Sequence, residues 1–279
     1  MVARTSSTAL GLTPSHGLDY LTTATTIWFI VTALGQWLFV VYIGAYYGGR
    51  FAAEGAIGFA GTHLANGYIE GDSLGNSALV FHILVAGLII AAGQLQLLPN
   101  IRRTVPRLHR FSGGFYMIAS VLVSIAGIYL TWSRERVIGS FLQDVGTTGG
   151  GILVLVFVPL ALMYAIRGDF AAHRRWALRL FMVVSAVWFL RLLVYGWFVT
   201  TGGIGIDGKT FSGPTIQLFQ FLQYLLPLAV LELYFAAQAS SSLLFKRCTA
   251  GVIVLMSGLM SVGIFAISVF FWMPRVVGS

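Results

Sequence analysis

The chain has 279 residues, of which 57% are hydrophobic and only 9% are charged, and its formal net charge is +8. A soluble domain carries about 25% charged residues, so this composition predicts a membrane protein and excludes an ordinary soluble domain. A single cysteine, Cys248, excludes an internal disulfide and any cysteine-ligated iron–sulfur or zinc site. In a membrane protein, positive charge collects at the cytoplasmic surface, so we expect no nucleic-acid partner.

Seven apolar stretches are each long enough to cross the roughly 30 Å hydrocarbon core of a membrane as a helix. They predict an all-α, polytopic helix bundle that forms a single integral membrane domain over residues 1–279. The predicted four-helix core comprises spans 2 to 5 (79–199), and the other three spans flank it. In chain order, spans 1 to 7 are 27–47, 79–98, 111–132, 152–166, 176–199, 216–237 and 250–273.

Arginine and lysine are unevenly distributed over the predicted loops. The loops after spans 2, 4 and 6 are rich in these residues, whereas the alternate loops contain fewer of them and also carry acidic residues. Because positively charged loops stay in the cytoplasm, the bias predicts a cytoplasmic N-terminus and a C-terminus on the outer side of the membrane.

A basic motif that contains histidine occurs twice. Arg103 lies six residues before His109, and Arg167 lies six residues before His173. Each copy follows one apolar span and opens the next, so both histidines are predicted at the same face and depth on different helices. Two such imidazoles suit the axial ligands of a haem b iron, and this is the metal site that we predict. Nearby arginines are predicted to pair with the haem propionates: Arg103, Arg110, Arg174 and Arg179.

Two other interpretations of this cluster remain open. The arginines and histidines also suit the phosphates of anionic lipids or the head group of a quinone. They are equally typical of a plain positive-inside topology signal that has no ligand.

Polar residues inside the apolar spans predict a second site. His82 lies one turn into span 2 near the outer face, and Arg191 lies deep in span 5 with Tyr195 one turn beyond it. Charged residues within membranes tend to mark function, so these three side chains are predicted to form an outer cofactor or substrate pocket. The alternative is a hydrogen-bonded pair that only orients spans 2 and 5. Glu232 is predicted to pair with Arg179 because the two lie at similar depth.

Several catalytic signatures are missing from the sequence. It contains no glycine-rich phosphate loop, no HExxH zinc motif and no recognisable nucleophile motif. A hydrolase or a nucleotide-driven pump is therefore disfavoured.

The order of these motifs resembles a bacterial family of multi-spanning membrane proteins known as domain of unknown function 2306. The resemblance covers about residues 79–195 and implies a bacterial inner-membrane protein, in which the outer side that holds the C-terminus is the periplasm. It is carried by His82, Gln94-Leu-Gln96, Pro99, Arg102-Arg103, Pro106-Arg107-Leu-His109-Arg110, Gly113-Gly-Phe-Tyr116, Arg167-Gly-Asp, His173-Arg174-Arg175-Trp176, Arg179 and Arg191.

The layout, with histidines at the helix ends of a four-helix core, is also similar to that of cytochrome b561 and the ferric reductases. That similarity implies a haem-containing membrane oxidoreductase. Those proteins use four histidines in two pairs, whereas only His109 and His173 pair here, which leaves a one-haem or a haem-free protein open.

The leading functional prediction is electron transfer through haem b, with a quinone or a redox protein as the exchange partner. The alternatives are a non-catalytic subunit of a larger membrane complex and a transporter of small molecules or lipids. Membrane lipids are expected around the protein, and a membrane-protein partner or a second copy of the chain is a further candidate.

Overall fold

A computed structural model describes residues 16–62, 66–135 and 139–278, with side chains from residue 20 onward. The regular elements of these residues are helices, which confirms the predicted all-α class. The α-helices are α1 (His16–Tyr42), α2 (Gly49–Glu54), α3 (Ser73–Leu97), α4 (Pro99–Thr104), α5 (Pro106–Ser133), α6 (Phe141–Ile166), α7 (Phe170–Val184), α8 (Ala186–Thr201), α9 (Pro214–Ala239), α10 (Leu243–Ile267) and α11 (Met273–Val277).

The seven predicted spans correspond to six long apolar helical segments and one bent pair. Segments Tyr20–Phe59 and Leu243–Val277 extend past α1 and α10 through short π-helical turns. The fifth span consists of α7 and α8, which meet at an angle of 49° at Ser185. The bundle is therefore polytopic as predicted, but one of its spans is broken.

The predicted start of the fourth span at residue 152 was wrong, because α6 begins at Phe141. The glycine-rich segment before residue 152 is helical since its small residues allow close contact with neighbouring helices. A Cβ atom at Gly146 would lie 2.7 Å from the Cβ of Gln220, and one at Gly151 would lie 2.9 Å from Ile128. Small residues of this kind drive helix packing in lipid.

The helices that follow α2 pack as neighbours along the chain. Helix α3 packs on α5, α5 on α6, and α6 on α7. Each of these four helices contributes a buried residue to their shared interior, namely Ile89, Tyr116, Val154 and Leu180. Tyr224 of α9 packs in the same cluster.

The N-terminal and C-terminal spans form the other side of the bundle. Helix α1 packs along α10, and α10 crosses α8 where Gly196 faces the Cα of Gly263. Aromatic rings stack where α1 meets the end of the last span, with the ring centroids of Phe39 and Trp272 5.2 Å apart. These contacts connect the first and last spans to the bent fifth span.

A chain of buried polar side chains braces the bend at Ser185. The amide of Gln94 on α3 donates a hydrogen bond to the amide oxygen of Gln36 on α1. Gln36 in turn donates to the Ser185 hydroxyl at 3.0 Å. All three side chains are buried. These two hydrogen bonds offset part of the cost of burying the polar groups in an apolar bundle, and they tie the bend at Ser185 to α1 and α3.

Candidate functional site

His82 lies on α3, nine residues from its first residue, which corresponds to about 14 Å along the helix. Its Nδ1 lies 3.0 Å from the carbonyl oxygen of Val123 on α5. A carbonyl oxygen only accepts, so this contact places the proton on Nδ1 and leaves the lone pair of Nε2 available. Gly127 provides room for the ring, since a Cβ there would lie 2.8 Å from the imidazole Cε1.

Arg191 lies on α8 at a matching depth, ten residues or about 15 Å before the helix ends at Thr201. One guanidinium nitrogen donates to the carbonyl of Val187 at 2.9 Å, and the group lies 4.9 Å from the centre of the Phe39 ring. Arg191 is close enough to His82 to interact with it electrostatically.

His82 and Arg191 line one cavity of about 460 Å³ inside the bundle. Its walls come from α1, α3, α5, α6 and the bent α7–α8 pair, and they are mostly apolar. The structure thus brings together two of the three residues predicted for the outer pocket. Tyr195 is not among the lining residues, and its ring packs against Phe271 with the centroids 5.1 Å apart.

The mouth of this cavity is built around Arg134, which the sequence did not single out. The guanidinium donates to the carboxylate of Asp72 at 3.0 Å, to the carbonyl of Gly67 at 2.7 Å and to the side chain of Asn76 at 2.9 Å. Its side chain is only 3% exposed. These bonds hold the loop before α3 against the end of α5. The sequence signal was weak, because Arg134 follows the last residue of a span, where a solvated arginine is common.

Asp72 is the acidic partner in this network and caps the N-terminus of α3. The backbone N–H of Gly75 and the guanidinium of Arg134 hold the pKa of the Asp72 carboxyl below its ordinary value. Hydrogen bonds and a nearby cation both favour the ionised carboxylate, so the contact is strongest when Asp72 is charged.

His109 and His173 lie at the opposite end of the bundle, on α5 and α7. The two side chains are close enough to interact electrostatically. Nδ1 of His173 lies 2.9 Å from the carbonyl of Ala161 on α6, so this nitrogen carries the proton. Nδ1 of His109 is buried and, among the described residues, has no hydrogen-bond partner. The two predicted ligands therefore lie on separate helices at the same end of the bundle.

The four arginines predicted around these histidines differ in their surroundings. Arg103, Arg110 and Arg174 are exposed. Arg179 forms a two-pronged pair with Glu232, with Nε–Oε1 and Nη2–Oε2 distances of 2.6 and 2.9 Å, which confirms the predicted ion pair. That pair joins α7 to α9 and occupies the guanidinium of Arg179.

The surface next to His109 is partly filled. A Cβ at Gly113 would lie 2.9 Å from the amide oxygen of Gln96, whose nitrogen donates to the Ser112 hydroxyl at 2.6 Å. Gly114 has open space beside it, with no atom within 4 Å of an added Cβ. Gly113 lies one turn from His109 on the same face of α5, so the Gln96 side chain closes the surface next to this histidine.

A second cavity, of about 300 Å³, lies at the same end as the histidine pair. It is formed between α1, α7, α9 and α10, and Arg174 and Leu178 line it. His109 and His173 are not among its lining residues.

Residues 79–209 match the model of a family described as predicted membrane protein, DUF2306. Comparisons with curated proteins and with solved structures gave no significant match. The matched segment begins in α3 and ends in the loop after α8, so it includes His82, both His-Arg motifs and Arg191. This match over residues 79–209 confirms the predicted resemblance to the DUF2306 family of predicted membrane proteins.

Proposed function

We propose that this protein transfers electrons within the membrane through a haem b held between His109 and His173. The observation that supports the proposal is the arrangement of these two side chains. They lie within electrostatic range on separate helices, and the buried Nδ1 of His109 has no hydrogen-bond partner in the described structure. Bis-histidine haem sites in helix bundles likewise take their two imidazoles from separate helices.

The surroundings of His173 fit an axial ligand. Its Nδ1–H donates to the Ala161 carbonyl, which fixes the ring and leaves Nε2 free to coordinate a metal. Metal-ligating histidines usually donate their other ring N–H to a carbonyl or carboxylate, and this bond raises the basicity of the ligand. A bound haem b would supply one-electron chemistry at its iron.

The exposed arginines at this end suit the acidic edge of the cofactor. Arg103, Arg110 and Arg174 are free to pair with propionates, and such charge-assisted bonds would orient the macrocycle. Arg179 instead braces α7 against α9 through Glu232. A quinone or a redox protein is the proposed exchange partner, and the similarity to cytochrome b561 stays a prediction.

The test is an absorption spectrum of protein purified after expression with haem available, recorded as isolated and after dithionite. A Soret peak with sharp reduced α and β bands is expected, and His109→Ala and His173→Ala should each abolish or broaden it. His82→Ala is the matched control and should keep the spectrum, because His82 lies near the other end of the bundle. A featureless spectrum from folded protein would contradict the proposal.

A second candidate function is transport of a small molecule or lipid, and a specific observation favours it. The cavity lined by His82 and Arg191 lies beside the break between α7 and α8. Broken helices next to a site deep in the membrane are typical of secondary transporters. Uptake of a candidate substrate by proteoliposomes, lost in Arg191→Gln, would support this function over electron transfer.

A further inference from the structure

We infer that the cavity between α3, α5, α6 and the α7–α8 bend binds an amphipathic monocarboxylate, with its carboxylate on Arg191. The inference does not depend on haem binding at His109 and His173. It rests on the unmet charge of Arg191, on the apolar walls around it and on the polar groups beside it.

Arg191 has more hydrogen-bond donors than the described structure uses. A guanidinium carries five N–H groups, and one bond, to the carbonyl of its own helix at Val187, is shown for Arg191. Within the described parts of the chain it has no acidic partner, in contrast to Arg134 and Arg179. An unpaired cation inside a membrane bundle is costly, so a ligand carboxylate would remove a large electrostatic penalty.

The remainder of the cavity suits an apolar body. Its volume of about 460 Å³ falls in the ordinary range for small-molecule sites. Aliphatic side chains form much of its wall, including Ile83, Ile90, Leu130 and Val154. An alkyl chain or an aromatic ring would pack against these aliphatic side chains.

Two further polar groups lie along the same cavity. Ser120 is only 2% exposed, and its hydroxyl has no hydrogen-bond partner among the described residues. His82 presents Nε2, since Nδ1 is engaged by Val123. A carboxylate on Arg191 could accept a hydrogen bond from the free Ser120 hydroxyl, whereas Nε2 of His82, whose proton is on Nδ1, is an acceptor and adds no donor.

The acidic residues at the mouth of the cavity do not override its preference for an anionic ligand. Glu135 and Asp144 also line the cavity, but at the end where α5 finishes and α6 begins. Arg191 lies about 15 Å below that end by helix rise. The Coulomb energy between two charges falls with their separation, so a carboxylate in contact with Arg191 gains more from that cation than it loses to acidic groups about 15 Å away. The contact with Arg191 therefore dominates the binding of an anion.

The experiment measures binding of radiolabelled laurate to the full chain in phosphatidylcholine nanodiscs. Saturable binding is expected, and methyl laurate, which lacks the charge, should bind at least about tenfold more weakly. Arg191→Gln should weaken laurate binding by a similar factor, and Arg191→Lys should retain part of it. Arg247→Gln is the matched control and should bind normally, because Arg247 lies over the Tyr20 ring outside the cavity.

Three results would overturn the inference. Equal binding of laurate and methyl laurate would show an apolar cavity without carboxylate recognition. Unchanged laurate binding in Arg191→Gln would place the anion elsewhere. Displacement of laurate by decylubiquinone with equal affinity in wild type and Arg191→Gln would assign the cavity to a neutral quinone. If Arg191→Gln does not fold, the ester comparison on wild type decides alone, and none of these results depends on a haem spectrum.

Discussion

The two ends of the bundle both carry arginines but use them differently. At the mouth of the large cavity, Arg134 is almost completely buried and donates to Asp72, Asn76 and a backbone carbonyl. At the other end, Arg103 and Arg110 are exposed beside His109. The donors of the buried Arg134 guanidinium are engaged within the protein, whereas an exposed cation stays available for phosphate or propionate. The first end is therefore a structural clamp, and the second is suited to an anionic ligand.

The largest expected loss of stability follows from removing Arg134, the centre of the clamp at the mouth of the cavity. Arg134→Met leaves the Asp72 carboxylate and Asn76 without their partner, which should lower the free energy of unfolding by about 2–4 kcal/mol. Arg103→Met is the matched control at the other end and should change stability little. Thermal unfolding of the detergent-solubilised variants measures both. Equal losses of stability in Arg134→Met and Arg103→Met would mean that Arg134 is no more important to the fold than an exposed arginine.

The next effect concerns the support of the His82 ring. Gly127→Ala would place a methyl group 2.8 Å from the imidazole Cε1, so the ring or α5 must move. We expect a loss of about 1–3 kcal/mol from overpacking. Gly114→Ala on the same helix has open space, and its expected effect is neutral or slightly stabilising. Unfolding midpoints compare the two variants, and a harmless Gly127→Ala would argue against a fixed His82.

A smaller effect is expected for the pair between Arg179 and Glu232. The Glu232 side chain is 47% exposed, so solvent screens the pair despite its good geometry. A double-mutant cycle with Arg179→Gln and Glu232→Gln should give a coupling free energy of about 1 kcal/mol or less. A coupling of several kcal/mol would show that this end is also a clamp.

The smallest effect is a dependence of stability on pH at the clamp. The pKa of Asp72 is lowered in the folded protein, mainly by the backbone N–H of Gly75. Its contribution is therefore complete above the unfolded pKa of about 4 and is lost as the pH falls through the lower folded value. Unfolding midpoints should be measured from about pH 6 to about pH 3, a range that spans the titration of a carboxyl group. As the pH falls, the midpoint of Asp72→Asn should decrease less steeply than that of the wild type. The same pH dependence in the wild type and in Asp72→Asn would show that the charge of Asp72 does not stabilise the contact with Arg134.

The sequence alone determined the features that depend on local composition. Apolar length predicted seven spans, and the spacing of histidine and arginine led to the family that residues 79–209 match. Similar depth was enough to pair Arg179 with Glu232, because an acidic residue inside a span needs a nearby cation. The outer pocket was predicted in part, since depth placed His82 and Arg191 together but also included Tyr195.

Only the tertiary structure decided the features that depend on contacts between distant segments. The early start of α6 depends on Gly146 fitting against Gln220, and the bend at Ser185 is braced by Gln36 of another span. The role of Arg134 depends on Asp72, which lies 62 residues earlier in the chain. A hydrophobicity pattern records which residues prefer lipid, but it does not record which side chains meet inside the bundle. Packing and hydrogen bonding between helices set those contacts.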